Sequence, residues 1–140
     1  MSKIVYDAQL MQTMALFERL TGAELKDCVS EENLFLFIVQ PNEAGKGIGK
    51  AGRNVQRLEK ALKRKVKIVE FSENVGTFIK NLFYPSKIRE VKQEEDVFTV
   101  IPGDSRSRGM MIGPRAQTLR MMEKVAKRYY PIKEIKINKW

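Results

Sequence analysis

The chain has 140 residues, of which 43% are hydrophobic, and this supports a folded core for one ordinary domain or two small ones. Its 26 Lys and Arg residues against 17 Asp and Glu residues give a formal net charge of +9, a balance typical of proteins that bind nucleic acid. No apolar window approaches the roughly 18 residues of a membrane-spanning helix, so the sequence excludes such a helix and we expect no membrane partner.

The amino terminus and the single cysteine indicate a cytoplasmic protein. Asp7 is an acid at the place where the apolar core of a signal peptide would begin. Cys28 is the only cysteine, so no disulfide can form within the chain, as is usual in a reducing compartment. Because the chain has no His to activate this thiol, we expect Cys28 to be a small buried residue of a strand.

The first half of the chain predicts a helix, a β-hairpin, a glycine-rich loop, a second helix and a strand. Leu10, Met14 and Phe17 mark one face of the first helix, and Gly22 is available as its C-terminal cap. A polar turn joins the next two strands into a hairpin. These elements are predicted at 7–20, 25–29, 34–39, 45–52, 53–64 and 66–71.

The second half repeats this order. A shift of 64 positions lays Gly49 on Gly113, and the apolar positions of the following helices then coincide. Because element order, turn chemistry and loop position agree, we predict two copies of one small α+β unit, at 1–72 and 73–140. The elements of the second copy are predicted at 75–83, 88–91, 97–101, 106–117, 119–126 and 132–138.

The segment 45–56 is the most specific part of the sequence. It holds four glycines and three cationic side chains between an apolar strand and a helical pattern. Positions without side chains let the backbone of another molecule come close, while the N–H groups and the dipole at a helix start favour negative charge. The segment therefore predicts a cradle for a phosphate backbone.

Two nucleotide-binding alternatives fit parts of this segment. Residues 47–52 satisfy the G-x-G-x-x-G pattern of a dinucleotide site, and Glu70 lies at a suitable distance along the chain to hold a ribose. Against this alternative, residues 40–46 separate the strand from the first glycine, and the second copy has no G-x-G. A Walker-type loop is one residue short and has Ala51 where a Ser or Thr must hold magnesium.

The third alternative is the G-x-x-G loop of a KH domain, at residues 49–52. The context favours it, because Ile48 precedes the loop, Arg53 follows it, a helix begins at once and a hairpin lies upstream. The order of elements resembles the type II KH fold over essentially the whole chain. The resemblance implies α-β-β-α-α-β in each unit, with a three-stranded sheet covered by helices. Gly45 and Gly47 then become hinge positions before the loop.

The tandem arrangement is similar to the small archaeal NusA-like transcription termination and antitermination factors, which consist of two type II KH domains. The stretches LFERLTGA, KDC and GKGIGKAGRNV, at 16–23, 26–28 and 45–55, carry the resemblance. It implies phosphate contacts from Lys50 and Arg53 and base packing against Ile48. Backbone contacts to RNA are implied for four residues, Gly49, Lys50, Ala51 and Gly52.

The second loop departs from the family pattern. Ala116 replaces the second glycine and Pro114 removes an N–H donor, which weakens the expectation of a close backbone approach. Its candidate RNA-binding residues are Ile112, Gly113, Pro114, Arg115 and Ala116.

Charged side chains extend both candidate sites. Helical spacing predicts a basic stripe on the helix after the first loop, formed by Arg53, Arg57, Lys60 and Arg64. Arg57 is expected to be a further RNA contact. A weaker phosphate track is expected around the second loop, from Arg106, Arg108, Arg115 and Arg120.

Aromatic and methionine residues are interpreted first as core. We expect four aromatic rings in core positions, Phe35, Phe37, Phe78 and Phe83. Six methionines fall in two clusters, at 11 and 14 and at 110, 111, 121 and 122. The first interpretation of these clusters is that they fill gaps in the core, and the second is that they form a surface for a partner.

Catalysis has little support in this composition. The chain has no His, and its carboxylates concentrate in two hairpin turns, so we find no acid–base pair, nucleophile or metal cluster and expect neither enzyme activity nor a cofactor.

We expect the chain to be a monomer that binds RNA, namely the nascent transcript. The RNA is expected to be single-stranded because a KH groove needs unstacked bases. The alternative is a protein-interaction module that docks on RNA polymerase or ribosomal particles, with incidental RNA contact.

Overall fold

The computed structural model describes residues 7–31 and 33–139, which divide into two compact units at 7–72 and 73–139. The ends of the predicted domains, at 1–6 and 140, and position 32 of the predicted hairpin turn lie outside the described residues. None of the described helices is long and apolar enough to cross a membrane.

The first unit has the element order helix, two strands, two helices, strand. The helices α2 and α3 are joined by a short 3₁₀ turn, Lys50–Gly52. The elements are α1 (Ala8–Thr21), β1 (Leu25–Glu31), β2 (Leu34–Val39), α2 (Ala44–Ile48), α3 (Arg53–Leu62) and β3 (Lys65–Glu70).

The second unit has the same order, and its two central helices are again joined by a 3₁₀ turn, Pro114–Ala116. Its elements are α4 (Val75–Phe83), β4 (Ile88–Glu94), β5 (Val97–Pro102), α5 (Ser105–Ile112), α6 (Gln117–Lys127) and β6 (Glu134–Ile137).

The two sheets have the same topology and nearly the same register. β2 pairs antiparallel with β1 and parallel with β3, and β5 pairs in the same way with β4 and β6. A register shift interrupts the hairpin at Leu25/Asp27 in the first unit and at Ile88/Glu90 in the second. This topology is the type II KH fold, so the predicted α+β class, hairpins and repeat are confirmed.

The core of the first unit lies between its sheet and its helices. Phe17 of α1 stacks on Phe37 of β2, with ring centroids 4.4 Å apart, and Leu58 of α3 is fully buried in the same cluster. Asp7 caps the start of α1 by accepting the N–H of Leu10. The four aromatic rings predicted as core are buried, as is Cys28.

Two predictions made from the residue pattern at the loops are wrong. The residues before each loop are helical, in α2 and α5, as the type II KH order implies, whereas the pattern alone predicted loop or hinge. Gly47 is not a hinge but a packing position, because a Cβ there would lie 3.2 Å from Ile68 and 3.3 Å from Phe17. Two glycines make α2 a poor helix by propensity alone, and its packing on α1 and β3 decides the conformation.

Candidate nucleic-acid interface

The loop between α2 and α3 has a backbone that favours glycine at two positions. Gly49 has φ 78° and ψ 169°, and Gly52 has φ 73° and ψ 15°. A Cβ on Gly49 would lie 2.8 Å from the Asn54 side chain, so both φ and space exclude a larger residue there. A Cβ on Gly52 would meet nothing within 4 Å, so this position faces open space.

Hydrogen bonds from the flanking helices hold this loop in place. Asn54 Nδ2 donates to the carbonyl of Lys46 at 2.9 Å, which ties the start of α3 to α2. The N–H of Gly52 donates to the carbonyl of Gly49 at 3.1 Å. No role for Asn54 was predicted from the sequence, although a polar residue, Thr118, recurs at the matching position.

The acid that the dinucleotide alternative required has a structural role. Glu70 Oε1 accepts the N–H of Ala44 at 3.3 Å, at the first residue of α2. The glycine pattern of that alternative begins inside α2 rather than at the end of β2. The three-stranded sheet also lacks the strands of a dinucleotide fold, so this alternative is wrong.

The predicted contact side chains of the first loop are exposed. Lys50, Arg53 and Arg57 are exposed, and Ile48 keeps 37% of its surface accessible. No side chain among the described residues caps the start of α3, where the helix dipole favours an anion. The first loop therefore combines cationic side chains, a helix start and one apolar residue.

The basic stripe on α3 is shorter than predicted. Lys60 is exposed, but Arg64 Nη1 donates to Ser30 Oγ at 2.7 Å and to the carbonyl of Glu31 at 2.9 Å. The Arg64 guanidinium also lies 4.2 Å from the centre of the Phe35 ring. Arg64 therefore fixes the hairpin to the end of α3, and the stripe ends at Lys60.

The second loop repeats the backbone of the first despite its sequence. Gly113 has φ 72° and ψ 172°, Arg115 has the same φ 55° and ψ 29° as Ala51, and Ala116 has φ 60° and ψ 23°. A Cβ on Gly113 would overlap Thr118 Oγ1. Left-handed backbone costs a residue with a Cβ roughly 1–2 kcal/mol, so Ala116 carries strain that Gly52 avoids.

The charges around the second loop are arranged differently. Arg115 is exposed, but Gln117 and Met121 stand where α3 has Arg53 and Arg57. Arg108, which we expected in the phosphate track, donates from Nε to the carbonyl of Asn138 at 3.2 Å.

Within 7–31 and 33–139, no group of three or more Cys, Asp or Glu side chains could hold a metal ion.

The topology and the paired loops define the fold of this chain as two tandem type II KH units. No family model matches it. It is similar to archaeal proteins named probable transcription termination protein NusA. The protein of Methanococcus vannielii is 29% identical over 138 residues, which are 96% of this chain and 80% of that protein. The protein of Halococcus morrhuae is 29% identical over 129 residues, or 91% of this chain and 93% of that protein.

A solved structure matches the fold over most of the chain. The crystal structure of APE1850 superimposes with a TM-score of 0.71 at 25% sequence identity, covering 91% of this chain and 96% of that one. The predicted resemblance to the archaeal NusA-like proteins is confirmed by the relatives from Methanococcus vannielii and Halococcus morrhuae.

Proposed function

We propose that the chain binds single-stranded RNA without catalysis and that the first loop is its main contact. The observation that supports this most is the glycine-flanked turn at 49–52, which presents Lys50 and Arg53 at an uncapped helix start. A KH loop of this kind clamps about four backbone nucleotides. The expected ligand is single-stranded RNA, because only unstacked bases can reach the apolar surface of Ile48.

Five residues at and beside the first loop have roles in this proposal. The open space at Gly52 admits the sugar-phosphate backbone, and the start of α3 stabilises its negative charge. Lys50, Arg53 and Arg57 neutralise successive phosphates, and Ile48 packs against a base. If three phosphates are neutralised, a double logarithmic plot of affinity against salt concentration has a slope of about −2.

The experiment is the double variant Lys50→Asp with Ala51→Asp, measured by fluorescence anisotropy with labelled random single-stranded RNA. Ala51 has φ 55°, which Asp tolerates at least as well as Ala, and Lys50 is exposed, so the variant is expected to fold. Two like charges at the phosphate contacts are expected to lower RNA affinity about 100-fold.

A matched control separates this local effect from the loss of overall positive charge. Lys63→Asp with Ala61→Asp carries the same change in net charge at exposed positions at the other end of α3. The control is expected to keep its RNA affinity within about threefold, since these positions lie outside the proposed contacts. Equal affinity of the loop variant and the control would overturn the proposal.

The relatives support a role for this RNA binding in transcription. Archaeal proteins named probable transcription termination protein NusA cover both units of the chain. We infer that the RNA is the nascent transcript in the cytoplasm, that RNA polymerase is a partner, and that the second loop, 112–116, adds contacts to a longer RNA. Crosslinking to labelled transcripts in a reconstituted archaeal elongation complex tests this inference, and crosslinks to free RNA alone would contradict it.

A further inference from the structure

An open cavity lies in the second unit, away from the turn at 114–116. It has a volume of about 270 Å³ and lies between the chain that follows α4 and the first turns of α5. Its lining residues belong to two segments, 85–87 and 104–110, and are Pro85, Ser86, Lys87, Asp104, Arg106, Ser107 and Met110.

One substitution between the two units lies in the lining of this cavity. In the first unit Glu43 Oε1 accepts the N–H of Glu24 at 2.8 Å, and this bond holds the entry to α2 against the start of β1. In the second unit Ser107 Oγ accepts the N–H of Lys87, also at 2.8 Å. The longer, charged acceptor of the first unit is therefore replaced by a short, neutral hydroxyl that lines the cavity.

A second substitution changes the chemistry of the same place. Lys46 of α2 forms an ion pair with Glu43 at 3.5 Å, so the first unit is polar and locally neutral here. Met110 stands at the position of Lys46 one turn before the second loop, and 52% of its surface is exposed. Methionine is over-represented at protein-binding surfaces because its flexible thioether adapts to different shapes.

The cavity therefore has apolar walls and a cationic rim. Pro85 and Met110 supply the walls, and Lys87 and Arg106 are exposed at the rim. Asp104 caps α5 by accepting the N–H of Ser107 at 2.7 Å and lies 4.0 Å from Lys87 Nζ. Hydrogen bonds from Ser107 hold the pKa of the Asp104 carboxyl below its usual range. Arg106 forms no ion pair within 4.0 Å among the described residues, although its charge and that of Lys87 both act on Asp104. Two cations against one carboxylate leave the lining with a net charge of +1, and Arg106 is the cation that a ligand can pair with.

We propose that this cavity binds an acidic peptide segment of a partner protein, which inserts one large apolar side chain between Pro85 and Met110 and places a carboxylate against Arg106. The volume supports a single side chain, since sites that enclose drug-sized ligands measure about 300–1,000 Å³. An RNA base is the weaker occupant, because no aromatic ring is among the lining residues to stack on it.

The test uses a panel of short fluorescent peptides rich in Asp and Glu with one central Leu, Met or Phe. The control peptides have Ala at the centre or Lys in place of the acids. We expect the acidic peptides with an apolar centre to bind the full chain and to shift the backbone amide NMR signals of Ser107 and Met110. The control peptides are expected to leave these signals in place.

One variant is Ser107→Glu, which places a longer, negatively charged side chain in the lining of the cavity, where it takes up space and repels an acidic peptide. We expect Ser107→Glu and Met110→Glu each to lower peptide affinity at least tenfold, and Met110→Glu, at an exposed position, to do so with unchanged circular dichroism and RNA affinity. Met11→Glu is the matched control, because Met11 is 57% exposed on α1 and outside the cavity, and it is expected to bind peptide normally.

Three outcomes would overturn the proposal. The first is that no acidic peptide shifts the signals of the cavity residues. The second is that Ser107→Glu binds the peptides as tightly as the unaltered chain. The third is that random single-stranded RNA shifts these signals and the peptides do not, which would indicate that the cavity binds RNA. None of these outcomes bears on RNA binding at the first loop, so the proposed function is tested separately.

Discussion

The turn between α2 and α3 has glycine at both flanking positions, 49 and 52, whereas the turn between α5 and α6 has glycine at 113 and alanine at 116. Both turns nevertheless have nearly the same φ and ψ values. Both also keep the same hydrogen bond, from Gly52 to Gly49 in one unit and from Ala116 to Gly113 in the other, at 3.1 Å.

This difference separates what forms the loop from what the loop can bind. The flanking helices and the close approach of residues 54 and 118 to the first glycine set the conformation, since it survives the loss of the second glycine. The second glycine leaves room at the surface, because a Cβ on Gly52 would meet no protein atom within 4 Å. We therefore expect the two loops to be alike in backbone and unequal in RNA affinity.

The largest expected contrast comes from placing aspartates in each loop. Pro114→Asp with Arg115→Asp occupies the positions that match Lys50 and Ala51 and carries the same change in net charge as Lys50→Asp with Ala51→Asp. We expect an affinity loss of at most about tenfold in the second loop against about 100-fold in the first, measured by anisotropy with labelled RNA. Equal losses would mean that the loops bind RNA equally.

Removing the second glycine of the first loop should make it resemble the second. We expect Gly52→Ala to lower RNA affinity about tenfold, because its Cβ enters the space that the RNA backbone needs. Left-handed strain, less the reduced freedom of the unfolded chain, is expected to lower the free energy of unfolding by about 0.5 kcal/mol. Gly45→Ala is the control, since a Cβ there also meets nothing within 4 Å but lies within α2. Unchanged RNA affinity in a folded Gly52→Ala variant would show that this glycine is not a contact.

A pair of matched lysines distinguishes the two sheets. Lys67 of β3 pairs with Leu36, and Lys136 holds the matching position of β6, where it pairs with Thr99. Lys136 is exposed. Burial lowers the pKa of Lys67 from 10.5 to about 8. Between pH 8 and 10.5 the unfolded chain therefore holds more protons at this position than the folded chain. The free energy of unfolding should rise with pH across that window, and below pH 8 the full penalty remains.

Denaturant titrations at several pH values measure this effect. We expect Lys67→Met to remove a rise of about 1 kcal/mol between pH 8 and 10, after a discount for the part of the side chain that water reaches. Lys136→Met should leave that rise in place. Burial also raises the pKa of Tyr130 to about 12, but its titration is common to both variants and cancels in the comparison. A pH profile unchanged by Lys67→Met would contradict the prediction.

The smallest expected effect is the repair of the second loop. Ala116→Gly relieves the strain of a left-handed alanine but gives the unfolded chain more freedom, so we expect a net gain in the free energy of unfolding of about 0.5 kcal/mol. Thermal unfolding of this variant beside the unaltered chain measures the gain. A loss of stability would indicate that the alanine Cβ makes contacts worth more than the strain.

The sequence by itself determined the strands, the longer helices, the repeat and the position of both turns. Helical spacing, alternation in the strands and turn residues such as Gly22 act over a few neighbouring residues, so they can be read along the chain. The cationic side chains of the first loop were also predictable, because Lys50 and Arg53 are adjacent in sequence to the glycines that hold them at the surface.

Only the tertiary structure decided which side chains meet across elements. The helix α2 forms because Gly47 fits against Phe17 and Ile68, and Arg64 leaves the basic stripe because the hairpin offers it Ser30 and a backbone carbonyl. Such contacts join residues far apart in the chain, and their energies override local propensity. For the same reason the sequence could not reveal the cavity beside Ser107, whose space exists only where two segments approach each other.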